Sequence, residues 1–460
     1  MIRQLRIKNF KGWEDTGLIR MSPLTVLFGA NSSGKSSISH LLLALKQTVD
    51  NLDQKTVIFP GGTNTPMQFG SLQNLIYGRS AEKCIEFEYL WDLDRTLEIA
   101  DPYNKKKYQG NSMHFSAEIG VNKKKLGGVD CFQYDLINGN DVAMSIGMKK
   151  SESKASYEIT ISPTYNLLKS VGRPWVIASP IRFYGFPETV VAYYQNASFV
   201  QSLNLQHEQL FRSIYYLGPL RNAPLRVYPV HGGEPDSVGY SGQYTIDAFV
   251  SAQNRSLNMK KKQYYKPFHE IIARQLKTMG LIERFSVEPI SEGQPLYEVK
   301  ISTKGSKDMV DLPDVGFGVS QVLPVLVQLF YAPSGSIIIM EQPEMHLHPR
   351  AQAALADVMI DAINSGENLK ERGIQLIIET HSEHFLRRLQ RRVAEDVITN
   401  NQFSAYFVNT DTVPTKLEAL QVDRFGNISN WPKDFFGDEM GDITAQSLAA
   451  MKKRAKENGI

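Results

Sequence analysis

Polar and apolar residues alternate along Met1-Ile2-Arg3-Gln4-Leu5-Arg6-Ile7-Lys8, the two-residue period of a strand with one buried face. An unbroken apolar run, Leu24 to Phe28, predicts a strand buried on both faces, and Ile38 to Leu45 has the amphipathic spacing of a helix. A Gly/Pro-rich loop is expected from Phe59 to Gly70, followed by a strand around Cys84 to Trp91. Beyond it, short alternating segments (His114 to Val121, Tyr157 to Ser162) are separated by Pro/Gly punctuation and by lysine clusters at Lys105 to Lys107, Lys123 to Lys125 and Lys260 to Lys262. One helix is predicted there, from Tyr265 to Met279, and no sustained heptad repeat points to a long coiled-coil arm. Near Asp311 the longer periods resume: a helix through Val322 to Phe330, a buried parallel strand from Ser336, a helix from Arg350 to about Asn364, and a strand from Ile374 to Ile378.

Between the second strand and its helix stands Gly29-Ala30-Asn31-Ser32-Ser33-Gly34-Lys35-Ser36-Ser37, a complete phosphate-binding loop in its proper context. Gly29 and Gly34 tolerate the backbone angles that turn successive N–H groups inward, with Asn31, Ser32, Ser33 and Ser37 completing the cradle. Lys35 is placed to reach the outer phosphates and the Ser36 hydroxyl to meet Mg²⁺, so ATP and Mg²⁺ are the expected cofactors.

A second cluster begins at Asp314-Val315-Gly316-Phe317-Gly318-Val319-Ser320-Gln321. Glycines and a serine opening a helix are either an anion-binding end or a plain cap. The strand from Ser336 ends in Glu341-Gln342-Pro343-Glu344, where Glu341 is assigned to the Mg²⁺ shell, and the strand from Ile374 ends in Glu379-Thr380-His381-Ser382. His381 is placed to hydrogen-bond a γ-phosphate or the attacking water.

Composition narrows the setting. With 460 residues and 42% hydrophobic content, two or three lobes are expected, and a net charge of +3 gives no global basic field for nucleic acid. The two cysteines, Cys84 and Cys131, are not spaced as a pair or as metal ligands, which fits a reducing compartment and a cytoplasmic location. The amino-terminal alternation is unlike a signal peptide, and no run reaches the roughly 18 apolar residues of a membrane span, so no membrane partner is expected.

The order of these motifs resembles the ABC-type ATPases of the SMC, RecF and OLD group, over roughly residues 1 to 90 and 311 to 410. The opening Ile7-Lys8-Asn9-Phe10-Lys11 and Leu347-His348-Pro349 add to the likeness. The resemblance implies an α/β fold: an ABC-type P-loop ATPase head with an antiparallel β subdomain, a helical signature lobe and an inserted mixed α/β region. Residues 1–90 and 311–410 would form the discontinuous ATPase domain, 91–310 the insertion and 411–460 a small carboxyl-terminal tail domain. It also implies that Gly318 and Ser320 belong to a signature motif that meets ATP held by the opposite subunit, in a dimer or larger oligomer.

A narrower likeness rests on Tyr216-Leu217-Gly218-Pro219-Leu220-Arg221, on Glu341 to Pro349, and on the tail, Val422 to Ile428, Asn430-Trp431-Pro432 and Phe435-Phe436-Gly437-Asp438. These look like bacterial ATPases with a small tail domain of unknown role (DUF3696-like), similar to those of antiviral defence operons. The group includes the ATPase subunit of the Septu type, whose partner is a separate HNH nuclease. At the position where the broad family carries a catalytic Glu this chain has Gln342. An amide takes no proton at neutral pH, so hydrolysis is expected to be slow or absent, although Gln can orient water and Glu344 lies nearby.

Other residues carry two readings each. His346, His348, His381 and His384 could suggest a metal cluster but are better explained by the motifs that contain them. Arg387-Arg388-Leu389-Gln390-Arg391-Arg392 is either a solvated face or a DNA contact. Arg221 and Arg226 could reach phosphate or a neighbouring subunit, or simply pair at the surface; Gln68 is a water or Mg²⁺ contact or a plain loop amide. No Toprim or HNH nuclease centre is legible. The leading expectation is a regulatory ATPase that controls an effector nuclease; the alternative is a stand-alone SMC/RecF-like DNA-repair or DNA-maintenance ATPase.

Overall fold

The computed structural model describes residues 1–80, 82–121, 127–151, 156–162, 164–172, 176–259, 265–291, 293–303, 305–306, 308–410, 412–432, 435 and 439–457. Strand β1 (Ile2–Phe10) is joined by the short β2 (Trp13–Asp15) and β3 (Ile19–Arg20), and β4 (Leu24–Gly29) feeds the phosphate loop and helix α1 (Lys35–Asp50). A meander follows: β5 (Ile85–Ala100), β6 (Lys107–Val121), β7 (Gly127–Asn138), β8 (Asp141–Lys150) and β9 (Tyr157–Ile161). Then come α2 (Glu188–Tyr193), α3 (Val200–Arg212) and β10 (Ile214–Leu217). Small pieces flank α4 (Thr245–Ala252) and α5 (Phe268–Thr278): β11 (Tyr228–Pro229), β12 (Ser256–Asn258), β13 (Tyr265–Pro267), β14 (Arg284–Pro289), β15 (Leu296–Ser302) and β16 (Val310–Asp311).

The chain then returns to the sheet that holds β4 through α6 (Phe317–Tyr331), β17 (Ile337–Glu341) and α7 (Pro349–Ile363). The two-residue strands β18 (Gly366–Glu367) and β19 (Lys370–Glu371) precede β20 (Gln375–Glu379), α8 (Glu383–Ala394), β21 (Phe403–Asn409), β22 (Lys416–Ala419) and α9 (Glu439–Glu457).

Of the four sheets among the described residues, the two largest organise these elements. One has the order β10-β17-β20-β4-β21-β22, parallel except for the last pair. Its inner strands β17 and β20 are buried at every residue, as expected of near-continuous apolar runs covered by helices on both faces. Ile337, Ile339 and Ile377 share a core with α1, whereas Ile338, Met340, Leu376 and Ile378 share one with α6, α7 and α8. The other sheet is the antiparallel β2-β1-β5-β6-β7-β8-β9, with β3 also on β1. An α/β P-loop head with an antiparallel subdomain is thus the fold class that the sequence predicts and the structure has.

Several expectations need correction. The boundary expected at 90/91 falls inside β5, so the antiparallel sheet runs without a break from residues of the expected ATPase domain into those of the insertion. Likewise β10, inside the expected 91–310 insertion, is an edge strand of the parallel sheet. The segment expected at His114 to Val121 is part of the longer β6, whereas Tyr157 to Ser162 holds only the short β9; β5 runs past Trp91 because a register shift between Asp92 and Leu97 lets it continue through a polar interruption. The helix expected from Tyr265 starts only at Phe268: Pro267 holds the residues before it extended. Lys123 to Lys125, Lys260 to Lys262 and Phe436 to Asp438 lie outside the described residues.

His207 on α3 is fully buried under the antiparallel sheet, its Nε2 2.9 Å from the Tyr89 hydroxyl and its Nδ1 2.9 Å from that of Tyr134. Its ring stacks on Tyr184 at 4.4 Å. Burial pushes its pKa well below the ordinary histidine value. The unfolded chain takes up a proton at this residue below about pH 6.5 and the folded chain does not, so stability should decline as pH falls through that range. Denaturant titrations between pH 7.5 and 5 should therefore show His207→Gln about 1–3 kcal/mol less stable at the upper end but with a flatter pH dependence than wild type.

Candidate nucleotide-binding site

The phosphate loop crosses from the end of β4 to the start of α1 on glycines that cannot be replaced freely. Gly29 has φ +149°, and a Cβ there would meet Ser33 Oγ at 3.0 Å and Val408 Cβ at 3.1 Å. Gly34 has φ +99°, and its carbonyl accepts a hydrogen bond from Trp13 Nε1 at 3.0 Å, which ties the loop to the antiparallel subdomain. Asn31 and Ser32 are exposed at the tip, and Ser33 Oγ is buried without a hydrogen-bond partner. Lys35 is only 2% exposed; its ammonium donates to the carbonyls of Ala30 at 2.7 Å and Gly29 at 3.1 Å and lies 3.8 Å from Glu379 Oε1. Burial lowers the Lys35 pKa, and Glu379, Glu341 and Glu344 oppose the shift.

The neighbouring strands end beside this loop. Glu341, last residue of β17, accepts from the Tyr216 hydroxyl at 3.2 Å and lies 3.4 Å from His40 Nε2. His40 Nδ1 is in turn 2.6 Å from Lys11 Nζ, whose pKa burial lowers to about 8. Gln342 is half-buried with a left-handed backbone, φ 45°. Its N–H donates to the Glu379 carbonyl at 2.8 Å, and its own carbonyl, like that of Glu341, accepts from Arg221 Nη2 at 3.3 Å. Arg221 follows β10; burial lowers its pKa to about 10, and its Nε and Nη1 have no hydrogen-bond partner.

Glu344 organises the end of β20. Its Oε1 accepts from Thr380 Oγ1 at 2.6 Å and from the His381 N–H at 2.9 Å, its Oε2 has no partner, and burial raises its pKa. His381 is brought to the phosphate loop, with a hydrogen bond from its ring to the Gly29 carbonyl; burial and the Lys35 charge lower its pKa. Ser382 and His348 cap the helices that follow, accepting from Phe385 N at 3.1 Å and Arg350 N at 3.3 Å. His40, His348 and His381 thus have local partners; among the described residues no three His, Cys, Asp or Glu side chains are gathered as a metal-holding group.

Sequence reasoning overlooked Glu379. Last in β20 and paired in register with Glu341, it faces Lys35, with the Ser36 hydroxyl placed to hydrogen-bond it. Burial raises its pKa to about 7; the Ser36 hydroxyl and the Lys35 ammonium oppose the rise, and the charge of Glu341 adds to it. The available signal was an acidic residue closing an otherwise apolar strand, as Glu341 does in β17.

Gly318 and Ser320 are not brought to the phosphate loop. A Cβ on Gly318 would meet the His346 carbonyl at 3.3 Å, which packs the start of α6 on the turn after β17. Ser320 Oγ donates to the Phe317 carbonyl at 2.9 Å and lines a separate cavity of about 340 Å³ with Asn222, Tyr228, Tyr244 and Pro324. Arg226 pairs with Asp314 at 2.6 Å and Asp311 at 3.0 Å, and Gln68 is exposed. On α8, Arg387 pairs with Glu383, Arg388 with Asp357, Arg391 with Glu395, and Arg392 with Asp357 and Glu395.

The residues present fit a Mg²⁺-nucleotide. Ser33 Oγ lacks a partner, an ammonium rests on carbonyls that phosphate oxygens would replace, and buried carboxylate oxygens stand without donors. Comparison with known families agrees. Residues 1–166 match the model described as "AAA ATPase domain", and residues 206–387 match "AAA domain, putative AbiEii toxin, Type IV TA system". Both of these matches are to AAA ATPase domain models. Residues 398–446 match "Protein of unknown function (DUF3696)".

No curated protein matches. Among solved structures, an SMC head bound to the C-winged helix domain of ScpA has 10% identity and TM-score 0.46, covering 92% of this chain and 98% of that one. The SMC head domain from Thermotoga maritima has 12% identity and TM-score 0.40, with 92% and 99% covered. An Smc head with an extended coiled coil, bound to the C-terminal domain of ScpA from Pyrococcus furiosus, has 12% identity and TM-score 0.42, with 91% and 96% covered. Among the described residues no helix is long and apolar enough to cross a membrane.

Removing the Lys35 ammonium should weaken nucleotide binding by about 10- to 100-fold, the worth of one charged hydrogen-bonding group. Calorimetric titration of Lys35→Ala with ATP measures this, and wild-type affinity would exclude the phosphate loop as the binding site.

Proposed function

We propose that the protein is a nucleotide-gated ATPase subunit that closes into a dimer or larger oligomer around ATP and Mg²⁺. In this reading it controls a separate effector nuclease of the HNH type in an anti-phage defence complex such as Septu. One observation carries the gating: Lys35, Glu341, Glu379 and His381 converge within one chain, whereas the cavity that Ser320 lines includes none of them. A second copy would bring its own Ser320 to this phosphate loop. The match to a family described by an AbiEii toxin supports a defence role.

Gln342 supports slow turnover. Loss of a general base costs about 10²–10⁴ in rate, and this amide is anchored through its backbone by Glu379 and Arg221, suited to orienting water rather than accepting its proton. The reading as a stand-alone DNA-maintenance clamp receives less support, because the arginines of α8 are engaged in ion pairs.

Two experiments test the proposal. Ser320→Arg should abolish ATP-dependent association in light scattering while leaving ATP binding by the monomer within about twofold, since the residue lies outside its own chain's loop; association that persists argues against the composite site. Gln342→Glu should raise steady-state ATP turnover by about 10²-fold, and an unchanged rate would place the limiting step elsewhere. Co-purification of a nuclease with the wild-type protein, released by Ser320→Arg, tests the effector.

A further inference from the structure

The ends of β17 and β20 bring three buried carboxylates, Glu341, Glu344 and Glu379, beside one phosphate loop, and their surroundings differ. Glu344 is held by Thr380 and the His381 N–H. Glu341 accepts from the Tyr216 hydroxyl and faces His40. Glu379 faces the two residues of the loop that handle phosphate and metal: Lys35, at 3.8 Å, and Ser36. It is 5% exposed, and its Oε2 is buried with no hydrogen-bond partner. An oxygen in that position costs free energy unless a donor or a cation meets it.

We propose that Glu379, rather than Glu341, is the carboxylate that meets the divalent cation accompanying the nucleotide, next to Ser36, while Glu341 braces the site through Tyr216 and His40. The proposal rests on the nucleotide reading given above. Mg²⁺ is usually held by one or two protein oxygens together with phosphate oxygens and water, which is why a carboxylate and a hydroxyl suffice without a dedicated cage. Ser36 sits in the first turn of α1 and Glu379 at the tip of β20, two rigid elements whose relation is set by the pairing of β20 with β4. Lys35, drawn toward phosphate, would leave Glu379 to the cation. Glu341 has less freedom to serve: moving its carboxylate inward would strip Tyr216 of its acceptor, and that hydroxyl is itself largely buried.

The test is calorimetric titration of the full chain with ATP in Mg²⁺ and in EDTA, with Mn²⁺ electron paramagnetic resonance as a direct reading of the cation. Wild type should bind ATP more tightly in Mg²⁺. Glu379→Gln should lose about tenfold or more of that gain, read as the ratio of its affinities in Mg²⁺ and in EDTA, and should lose the ATP-dependent bound-Mn²⁺ signal. Glu341→Gln, whose amide oxygen can still accept from the Tyr216 hydroxyl, should lose less of the gain than Glu379→Gln and retain the Mn²⁺ signal. Glu379→Asp, which keeps the charge on a shorter arm, should show a diminished gain and serves if the amide variant does not fold. A full Mg²⁺ gain in either Glu379 variant overturns the proposal, as does loss of the gain in Glu341→Gln alone. Wild type binding ATP equally with and without Mg²⁺ refutes the cation site only; wild type binding no ATP in either buffer refutes the nucleotide reading itself.

Discussion

The register between β17, β20 and β4 is the constraint on which the site depends. Glu341 pairs with Glu379, and Glu379 with Leu27, two residues before the phosphate loop begins. Everything beyond those pairs converges: the loop, the Gln342 turn and the Thr380-His381-Ser382 segment. The register is specified twice, since alternate residues of each strand enter different cores: Ile337, Ile339 and Ile377 one, Ile338, Met340, Leu376 and Ile378 the other. A one-residue slip of β20 would reverse those faces and swing Glu379 away from Lys35. With each such side chain contributing about 1.5–3 kcal/mol on burial, no slipped arrangement competes.

The antiparallel sheet and the carboxyl-terminal tail both reach this centre. Gln375, first residue of β20, accepts from Ile2 N at 2.9 Å and donates to Ile2 O at 2.7 Å, which fastens β1 to the parallel sheet. Trp13, in β2, holds the Gly34 carbonyl. From the other side, Phe435 of the tail lies edge-on to Phe28 at 5.6 Å, one residue before Gly29, and to Phe407 at 4.8 Å. The phosphate loop and the strand that leads into it are thus in contact with both regions.

The electrostatics of the site are unbalanced in a way that favours a polyvalent ligand. Three buried carboxylates and two buried cations, Lys35 and Arg221, lie close together, yet Glu344 Oε2, Glu379 Oε2 and two Arg221 nitrogens make no hydrogen bonds. Burial raises the pKa of Glu344 and Glu379 and lowers that of Lys35 and Arg221, each toward its neutral form. Such groups are kept at a cost to stability, and a phosphate chain with its cation would supply the charges they lack.

Much of this was written in the linear chain. The phosphate loop from Gly29 to Ser37 is a contiguous motif whose chemistry is local, and the apolar runs ending in Glu341 and before Thr380 declare buried parallel strands, because burial on both faces requires unbroken hydrophobic residues. Nothing in the chain separates Glu379 from any other acidic residue at a strand end, or reveals that Arg221, 120 residues before Glu341, would hold its carbonyl. The extent of the antiparallel sheet was equally hidden, since its continuity through Asp92 to Leu97 depends on cross-strand pairing with β6. Local chemistry and hydrophobic period are properties of neighbouring residues and belong to the sequence. Which strand tip meets which loop residue is set by pairing and packing between segments hundreds of residues apart, and that only the tertiary structure decides.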